Sequence, residues 1–270
     1  MTQNQSDKEL LAEILCAADT FWVLGHWYIK VMMNGRSLQD FNAISGFTQD
    51  SLGFTRALFR YAEEEFDLPE YQLEFGRDRD AIHSMDILDE PPQSWGDLLV
   101  SAYLATTAVV ESLSSLASSE KPGLAAIATQ IKETAYFHQM YLDGWASAAT
   151  AAEKEQIAEA LEKRLPSVFQ WFSDDAGRMV SLADSGHRNR SLEEEKAAFH
   201  QEIGNLTAAL SIEPPALGKI ALPNDWDAQR RRRSKSLPAS LWEMMLPQSE
   251  AAKLGRRPLA VSIEDNVDLF

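Results

Sequence analysis

Histidine and carboxylate side chains at helical spacing are the residues of this sequence best suited to metal chemistry. Side chains three residues apart on a helix project from one face, so a Glu-x-x-His pair can grip a metal ion. None of the five histidines has a Glu three residues before it. His83 follows Asp80 and His187 follows Asp184 at that spacing, but both pairs lie in segments predicted as loop or helix end. Solvated loop residues are the favoured interpretation of both pairs.

Two acidic runs and one cysteine are the other candidates for acid–base or nucleophilic chemistry. Residues 63–65 and 193–195 are all Glu. Neighbouring side chains on a helix point about 100° apart, so such runs are typical of solvated faces and helix starts. Cys16 lies mid-helix in an apolar stripe, without a His or a helix amino terminus to stabilise its thiolate. We predict a small core residue there.

A basic cluster stands out in this acidic chain. Arg230, Arg231, Arg232 and Arg233 are consecutive, and Lys235 follows. Guanidinium groups bind phosphates and carboxylates, so the cluster could meet a nucleotide-like substrate such as a coenzyme A thioester, or acidic residues of a partner. A flexible, solvated basic stretch is the third interpretation, and the sequence leaves all three open.

Aromatic residues recur at helical spacing in two regions. Their members are Trp22, Trp27 and Tyr28 in the first region, and Tyr136, Phe137, Tyr141 and Trp145 in the second. Core packing or a subunit interface is favoured over a cofactor site, because large aromatic rings dominate the energetics of both.

Composition limits the class of partner and the compartment. The chain of 270 residues has 45% hydrophobic residues and a formal charge of −16, which would repel nucleic acid phosphates and anionic lipids. A single cysteine permits no intrachain disulfide. The amino-terminal residues resemble no signal peptide, and no uninterrupted apolar stretch approaches the roughly 20 residues that span a bilayer. We expect a cytoplasmic protein that binds neither nucleic acid nor membrane.

Apolar residues at spacings of three and four predict six helical segments. Ser37 with Asp40 and Ser191 with Glu194 resemble helix caps, and Pro122 can open a helix. Pro166 is expected to bend or divide the fifth segment, because proline removes a backbone donor. The predicted segments are 7–33, 37–66, 97–118, 122–149, 151–181 and 191–210.

The remaining segments predict a crossover loop and a tail. Residues 67–94 carry Pro69, Gly76 and Pro91 without a sustained period, which indicates a long loop between two helix hairpins. The fold class predicted is all-α, a ferritin-like helical bundle with a long crossover. We assign residues 1–210 to the bundle and residues 211–270, which are rich in proline, to an arm that wraps a partner.

Three segments carry a resemblance to a known family. Residues 19–26 (DTFWVLGH), residues 50–56 (DSLGFTR) and residues 131–145, with Ile131-Lys132-Glu133, His138 and Gly144-Trp145, resemble the phenylacetic acid catabolic protein family. Within it, the chain is most similar to the non-catalytic, structural C subunit of the ring 1,2-phenylacetyl-CoA epoxidase. The similarity covers about residues 9 to 210. A long carboxy-terminal extension departs from that subunit's pattern.

The resemblance implies where metal ligands would lie. The family's catalytic subunit holds two irons with ligands on four helices, including two Glu-x-x-His pairs. Here hydroxyl, apolar or ammonium side chains replace all of those ligands except one imidazole, and such a set cannot hold two irons. The matching, degenerate positions are Lys30, Ser51, Phe54, Thr106, Ala135 and His138.

Lys30 leaves two alternatives open. Its ammonium could point into the former metal cavity and pair with a buried carboxylate, for example Asp50, or it could reach solvent from the helix end. Phe54 is expected to fill the space that iron and imidazole occupy in catalytic relatives.

These expectations lead to one main functional hypothesis. The chain is a structural subunit that binds no cofactor itself and supports a catalytic di-iron partner of the same family, with a reductase component as a further partner. One alternative is a stand-alone metalloenzyme with unconventional ligands, namely Asp40, Asp50, Glu111, Glu133 and His138. Another is a helical regulatory or binding protein. In the arm, we expect partner contacts from Arg230, Arg231, Arg232, Arg233, Leu241, Trp242, Met244, Met245 and Leu246.

Overall fold

The structure, a computed structural model, describes residues 3–173, 177–215 and 221–245, with side chains from residue 5 onward. It is an all-α helical bundle, as predicted, with one two-stranded antiparallel ribbon in the described residues. The helices are α1 Gln3–Val31, α2 Leu38–Phe66, α3 Glu70–Phe75, α4 Trp95–Leu116, α5 Pro122–Ser147, α6 Ala151–Trp171, α7 Arg178–Asp184, α8 Leu192–Leu210 and α9 Ala239–Met245, and the strands are β1 Trp226–Asp227 and β2 Arg232–Arg233.

Capping residues fix where the main helices begin. The Ser37 side chain accepts a hydrogen bond from the Asp40 amide at the start of α2. Both α6 and α8 begin with a full capping box, formed by Thr150 with Glu153 and by Ser191 with Glu194. Such caps satisfy amides that have no partner inside the helix. The predicted cap at Ser191 is confirmed.

The bundle consists of two helix hairpins joined by the crossover segment. Helix α1 packs along α2, and α4 packs against α5 and α6. Gly25 lets α1 and α2 approach closely, since a Cβ there would lie 2.9 Å from Cδ2 of Leu52. Helix α4 is long and apolar enough to cross a membrane, but 83% of its apolar window is buried, as expected of a central core helix.

The fifth predicted segment ends earlier than expected. Helix α6 continues through Pro166 and ends at Trp171, and α7 begins at Arg178. Of the two predicted effects of Pro166, bending or dividing the helix, division does not occur. The buried side chains of Leu165 and Val168 flank the proline, so packing holds the helix together across one missing hydrogen bond.

The tail also departs from the prediction of a separate arm. Residues 221–245 pack on the bundle of their own chain, with Leu237, Leu241 and Met245 buried. Leu237 donates its amide to the Arg79 carbonyl at 2.9 Å and thereby joins the tail to the crossover. These residues belong to the folded body, because they bury apolar surface against it.

Candidate functional site

The centre of the bundle contains most of the positions where the resemblance places metal ligands. Phe54 on α2 packs edge-to-face on Phe21 of α1, with ring centroids 5.0 Å apart, and its centroid lies 6.2 Å from that of His138 on α5. Ser51, Thr106 and Ala135 are all at least 97% buried. These positions are therefore filled by packed side chains.

His138 is the one degenerate position that keeps a ligand-type side chain. Its ring lies 4.4 Å from the Phe47 ring, and its Nε2 is 2.8 Å from Oδ2 of Asp50. Burial lowers the pKa of His138, and the Asp50 carboxylate opposes that shift. The imidazole is thus a buried group held by one carboxylate and by aromatic rings.

Lys30 lies outside this centre. Its side chain is exposed in the last turn of α1, where a cation interacts favourably with the helix carboxyl terminus. Asp50 pairs with His138 and not with Lys30. Of the two alternatives that the sequence left open for Lys30, the structure shows the side chain that reaches solvent.

The residues at the centre do not fit a di-iron site. The hydroxyl of Ser51 is buried without a hydrogen-bond partner, but the two hydroxyls of Ser51 and Thr106 and a single imidazole cannot replace several carboxylates. Ala135 and Phe54 offer no donor atom. Within the described residues, no group of three or more His, Cys, Asp or Glu side chains is placed to hold a metal ion.

The unconventional ligand set of the alternative hypothesis does not assemble either. Asp40 accepts a hydrogen bond from Nε1 of Trp145 at 2.8 Å, and Glu111 pairs with Arg190 at 2.7 Å. Glu133 is exposed. Of the five proposed ligands, only Asp50 and His138 come together, and two donors leave a metal ion under-coordinated.

The carboxylate–histidine pairs found by spacing alone are not pairs in space. The His83 amide donates to Asp19 at 2.7 Å, and the His187 ring lies 3.4 Å from the Ser119 hydroxyl. Asp80 and Asp184 are exposed. The structure therefore offers no support for a metal site at either histidine.

Comparison with known proteins decides the family. The sequence profile of the phenylacetic acid catabolic protein matches residues 1–235. The chain belongs to the phenylacetic acid catabolic protein family. Membership implies a role in phenylacetate catabolism. None of the curated proteins matches this chain.

The match extends beyond the segment in which the resemblance was recognised. Residues 9 to 210 carried that resemblance, whereas the family profile runs to residue 235. It therefore includes β1, β2 and the basic cluster. This agrees with the packing of residues 221–235 on the bundle of this chain.

Two arginines of the basic cluster are buried inside this chain. Arg231 lies over the Trp171 ring at 5.1 Å and 3.3 Å from Oε1 of Glu13. Arg232 donates to the Asp89 carboxylate at 2.6 Å and to the Ser84 carbonyl at 3.1 Å. Buried guanidinium groups need such partners, because an unpaired buried charge is very costly. The expectation that these arginines meet a phosphate or a partner is therefore wrong.

The other tail residues that were expected to contact a partner differ in their burial. Arg230 pairs with Asp227 at 2.8 Å, and Arg233 is exposed. The Trp242 ring packs edge-to-face on Trp22 with a centroid distance of 6.3 Å. Leu241 and Met245 are buried against the bundle, Met244 is half-buried, and Leu246 lies outside the described residues. Leu241 and Met245 thus serve this chain's own fold.

A buried charge cluster, which sequence reasoning missed, links five parts of the chain. Glu13 of α1 contacts Arg178 at 2.8 Å, Arg188 at 3.0 Å and Arg231 at 3.3 Å. Arg188 also pairs with the buried Glu195. The only signal in the sequence is a carboxylate at position 13 within the apolar stripe of α1.

A second missed group anchors the crossover segment to α1. The buried Asp19 carboxylate accepts two hydrogen bonds from Arg77, at 2.6 and 2.8 Å, and one from the His83 amide. Burial alone would raise the pKa of Asp19, but Arg77 and His83 outweigh it and hold the pKa at about 2. Asp19 stood in one of the segments that resemble the family, but the sequence did not indicate its partners.

Proposed function

We propose that this chain is a structural, non-catalytic subunit of a multicomponent di-iron monooxygenase of the phenylacetyl-CoA epoxidase type. It supports a catalytic subunit of the same family, which holds the iron and acts on an aromatic or acyl-CoA substrate. The observation that carries the proposal is the filled bundle centre, where Ser51, Phe54, Thr106 and Ala135 replace ligands with buried, packed side chains.

The packing of that centre supports a role as a scaffold. Phe54 contacts rings on α1 and α5, so it ties three helices together where a metal centre would otherwise do so. Well-packed aromatic contacts stabilise a bundle without any cofactor. The same proposal includes a likeness to ferritin-like bundles, a reductase component as a further partner and a cytoplasmic location.

Co-expression with a candidate catalytic subunit tests the proposal. The candidate is a protein with two Glu-x-x-His motifs that a neighbouring gene encodes. We expect the two proteins to elute together in gel filtration and the iron, measured by elemental analysis, to follow the candidate. A variant of the candidate without its motif histidines is the control, because it separates complex formation from iron binding.

Two outcomes would contradict the proposal. The first is that the purified chain alone binds about two irons and activates oxygen, as a catalytic bundle of this type does. The second is that the chain forms a self-sufficient homodimer and does not bind the candidate catalytic subunit. That result would favour the regulatory protein named above as an alternative.

A further inference from the structure

The amino-terminal half of the outer face of α2 carries few of the charges that cover much of this chain. Across the whole sequence 24% of residues are charged, yet Asp50 is the only charged residue from position 41 to position 55. Asn42, Gln49 and Gly53 are exposed on this part of the face, and Gly46 is half-buried. A solvated helix face normally carries charged residues, whereas the centre of a protein interface is depleted of them.

The glycines on this face have open space beside them. A Cβ built on Gly46 or Gly53 would meet no atom within 4 Å. Glycine in the interior of a helix lowers stability relative to alanine, and at these two positions no contact within the chain requires it. A partner that packs its backbone closely against α2 would require it.

An exposed aromatic ridge lies beside this face on α5. Tyr136, Phe137 and Met140 are 61%, 66% and 52% exposed, and the first two rings contact each other. The flank of α5 that includes Phe137 is turned toward α2. Phe137 directly precedes His138, which forms a hydrogen bond with Asp50. It also lies one turn from Tyr141, whose hydroxyl is 3.3 Å from the Asp40 carboxylate. Phe137 and the glycines therefore belong to one surface, which we call the α2–α5 face.

Asp50 lies at the middle of the α2–α5 face. Its side chain is 41% exposed, and its Oδ2 is held by His138. The imidazole thus fixes the carboxylate in place and leaves its other oxygen available to a donor from outside. This arrangement gives the face one charged acceptor among uncharged side chains and glycines, and the centre of a protein interface is likewise poor in charged residues.

We infer that the α2–α5 face binds a helical surface of the catalytic subunit, which places one cationic or N–H donor opposite Asp50. This inference rests on the proposed function and names the surface that the complex uses. The open glycines favour a helix as the occupant, because they let two helix backbones approach.

A second copy of this chain is a poorer occupant of the same face. A two-fold contact centred here would bring two Asp50 carboxylates together, because each copy presents the same patch. The face has no Lys or Arg between positions 41 and 55 to compensate, and each copy carries a formal charge of −16. A partner with a donor at that point is electrostatically complementary.

Glycine substitutions provide a test that separates binding from folding. Gly53→Leu adds a side chain where the isolated chain has room, so the fold is preserved while a close partner is blocked. The matched control is Gly204→Leu on α8, where a Cβ also meets nothing within 4 Å. A second pair compares Phe137→Lys with Tyr71→Lys, since Tyr71 is a 59% exposed aromatic residue on α3.

Affinity for the co-expressed catalytic subunit is the measurement, and circular dichroism checks that each variant is folded. We expect Gly53→Leu and Phe137→Lys to weaken binding at least tenfold, while Gly204→Leu and Tyr71→Lys change it less than twofold. Asp50→Lys is expected to weaken binding more than Asp50→Asn, because it opposes the donor with a like charge.

The outcomes distinguish this inference from the proposed function. If the complex forms and all four glycine and aromatic variants bind like the wild type, the α2–α5 face is not the interface, and the proposed function stands. If no complex forms with the wild-type chain, the proposed function fails and this inference with it. If the wild-type chain dimerises and Gly53→Leu abolishes the dimer, the occupant is a second copy and the inference is overturned.

Discussion

Replacing Asp19 by asparagine tests whether the crossover segment is held by charge. The Asp19 side chain has no solvent exposure, and Arg77 is 13% exposed. Asn keeps the size of the side chain but loses the negative charge that the Arg77 guanidinium faces. Breaking a buried ion pair typically costs about 3–5 kcal/mol.

The lowered pKa of Asp19 determines how much of the stability lost in Asp19→Asn depends on pH. Burial works against the charged form, but Arg77 and His83 lower the pKa from 3.8 to about 2. At about 1.36 kcal/mol per unit, this contributes roughly 2.4 kcal/mol of stability at neutral pH. The folded pKa lies below the unfolded one, so the contribution is complete above pH 3.8 and is lost as pH falls toward 2. About half remains near pH 3.

Urea unfolding of the wild-type chain and Asp19→Asn at pH 7 and pH 3 measures both quantities. We expect a gap of about 3–5 kcal/mol in the free energy of unfolding at pH 7, and a gap roughly 1 kcal/mol smaller at pH 3. Glu64→Gln is the control, because its pair with Arg60 has side chains 73% and 68% exposed. Such a surface pair contributes less than about 1 kcal/mol.

Two results would refute this reasoning. A gap below about 1 kcal/mol at pH 7 would mean that the Asp19–Arg77 pair does not hold the crossover. A gap of equal size at both pH values would mean that lost packing, and not lost charge, explains the destabilisation. Hydrogen exchange at the amides of His83 and Met85 provides a local readout, since Asp19 and Thr20 accept their hydrogen bonds.

Two further predictions concern the bundle centre and the tail. Burial lowers the pKa of His138, so the stability contributed by its neutral form is present above pH 6.5 and is lost as pH falls below it. Urea unfolding between pH 7.5 and 5.5 is expected to show a larger loss in the wild type than in His138→Gln, in which His187, whose pKa burial also lowers, still contributes; identical profiles would contradict it. Leu241→Ala removes a side chain that is 98% buried and is expected to cost about 2–4 kcal/mol in thermal or urea unfolding. The exposed Ser240→Ala is its control, and equal effects of the two would show that α9 does not pack on the bundle.

Local patterns were enough to predict the long helices from the sequence, but not α3, which lies within the predicted loop 67–94. Ser191 and Glu194 make a capping box that depends on four neighbouring residues alone, and the structure contains it. The break between α6 and α7 was misplaced, because packing across Pro166 overrode its local preference against a helix. The family resemblance was confirmed, and the buried, non-ligating character of Ser51, Phe54 and Ala135 followed from the residue types at those positions.

Partners distant along the chain were decided only by the tertiary structure. The sequence cannot indicate that Arg231 meets Glu13 across more than two hundred residues, or that Arg77 meets Asp19, because ion pairs depend on proximity in space and not on spacing. For the same reason, the sequence could not separate Arg231 and Arg232, which are buried, from the exposed Arg233. Side-chain type thus determined which of the degenerate positions lack a ligand atom, and three-dimensional packing decided which charged and aromatic residues remain available to a partner.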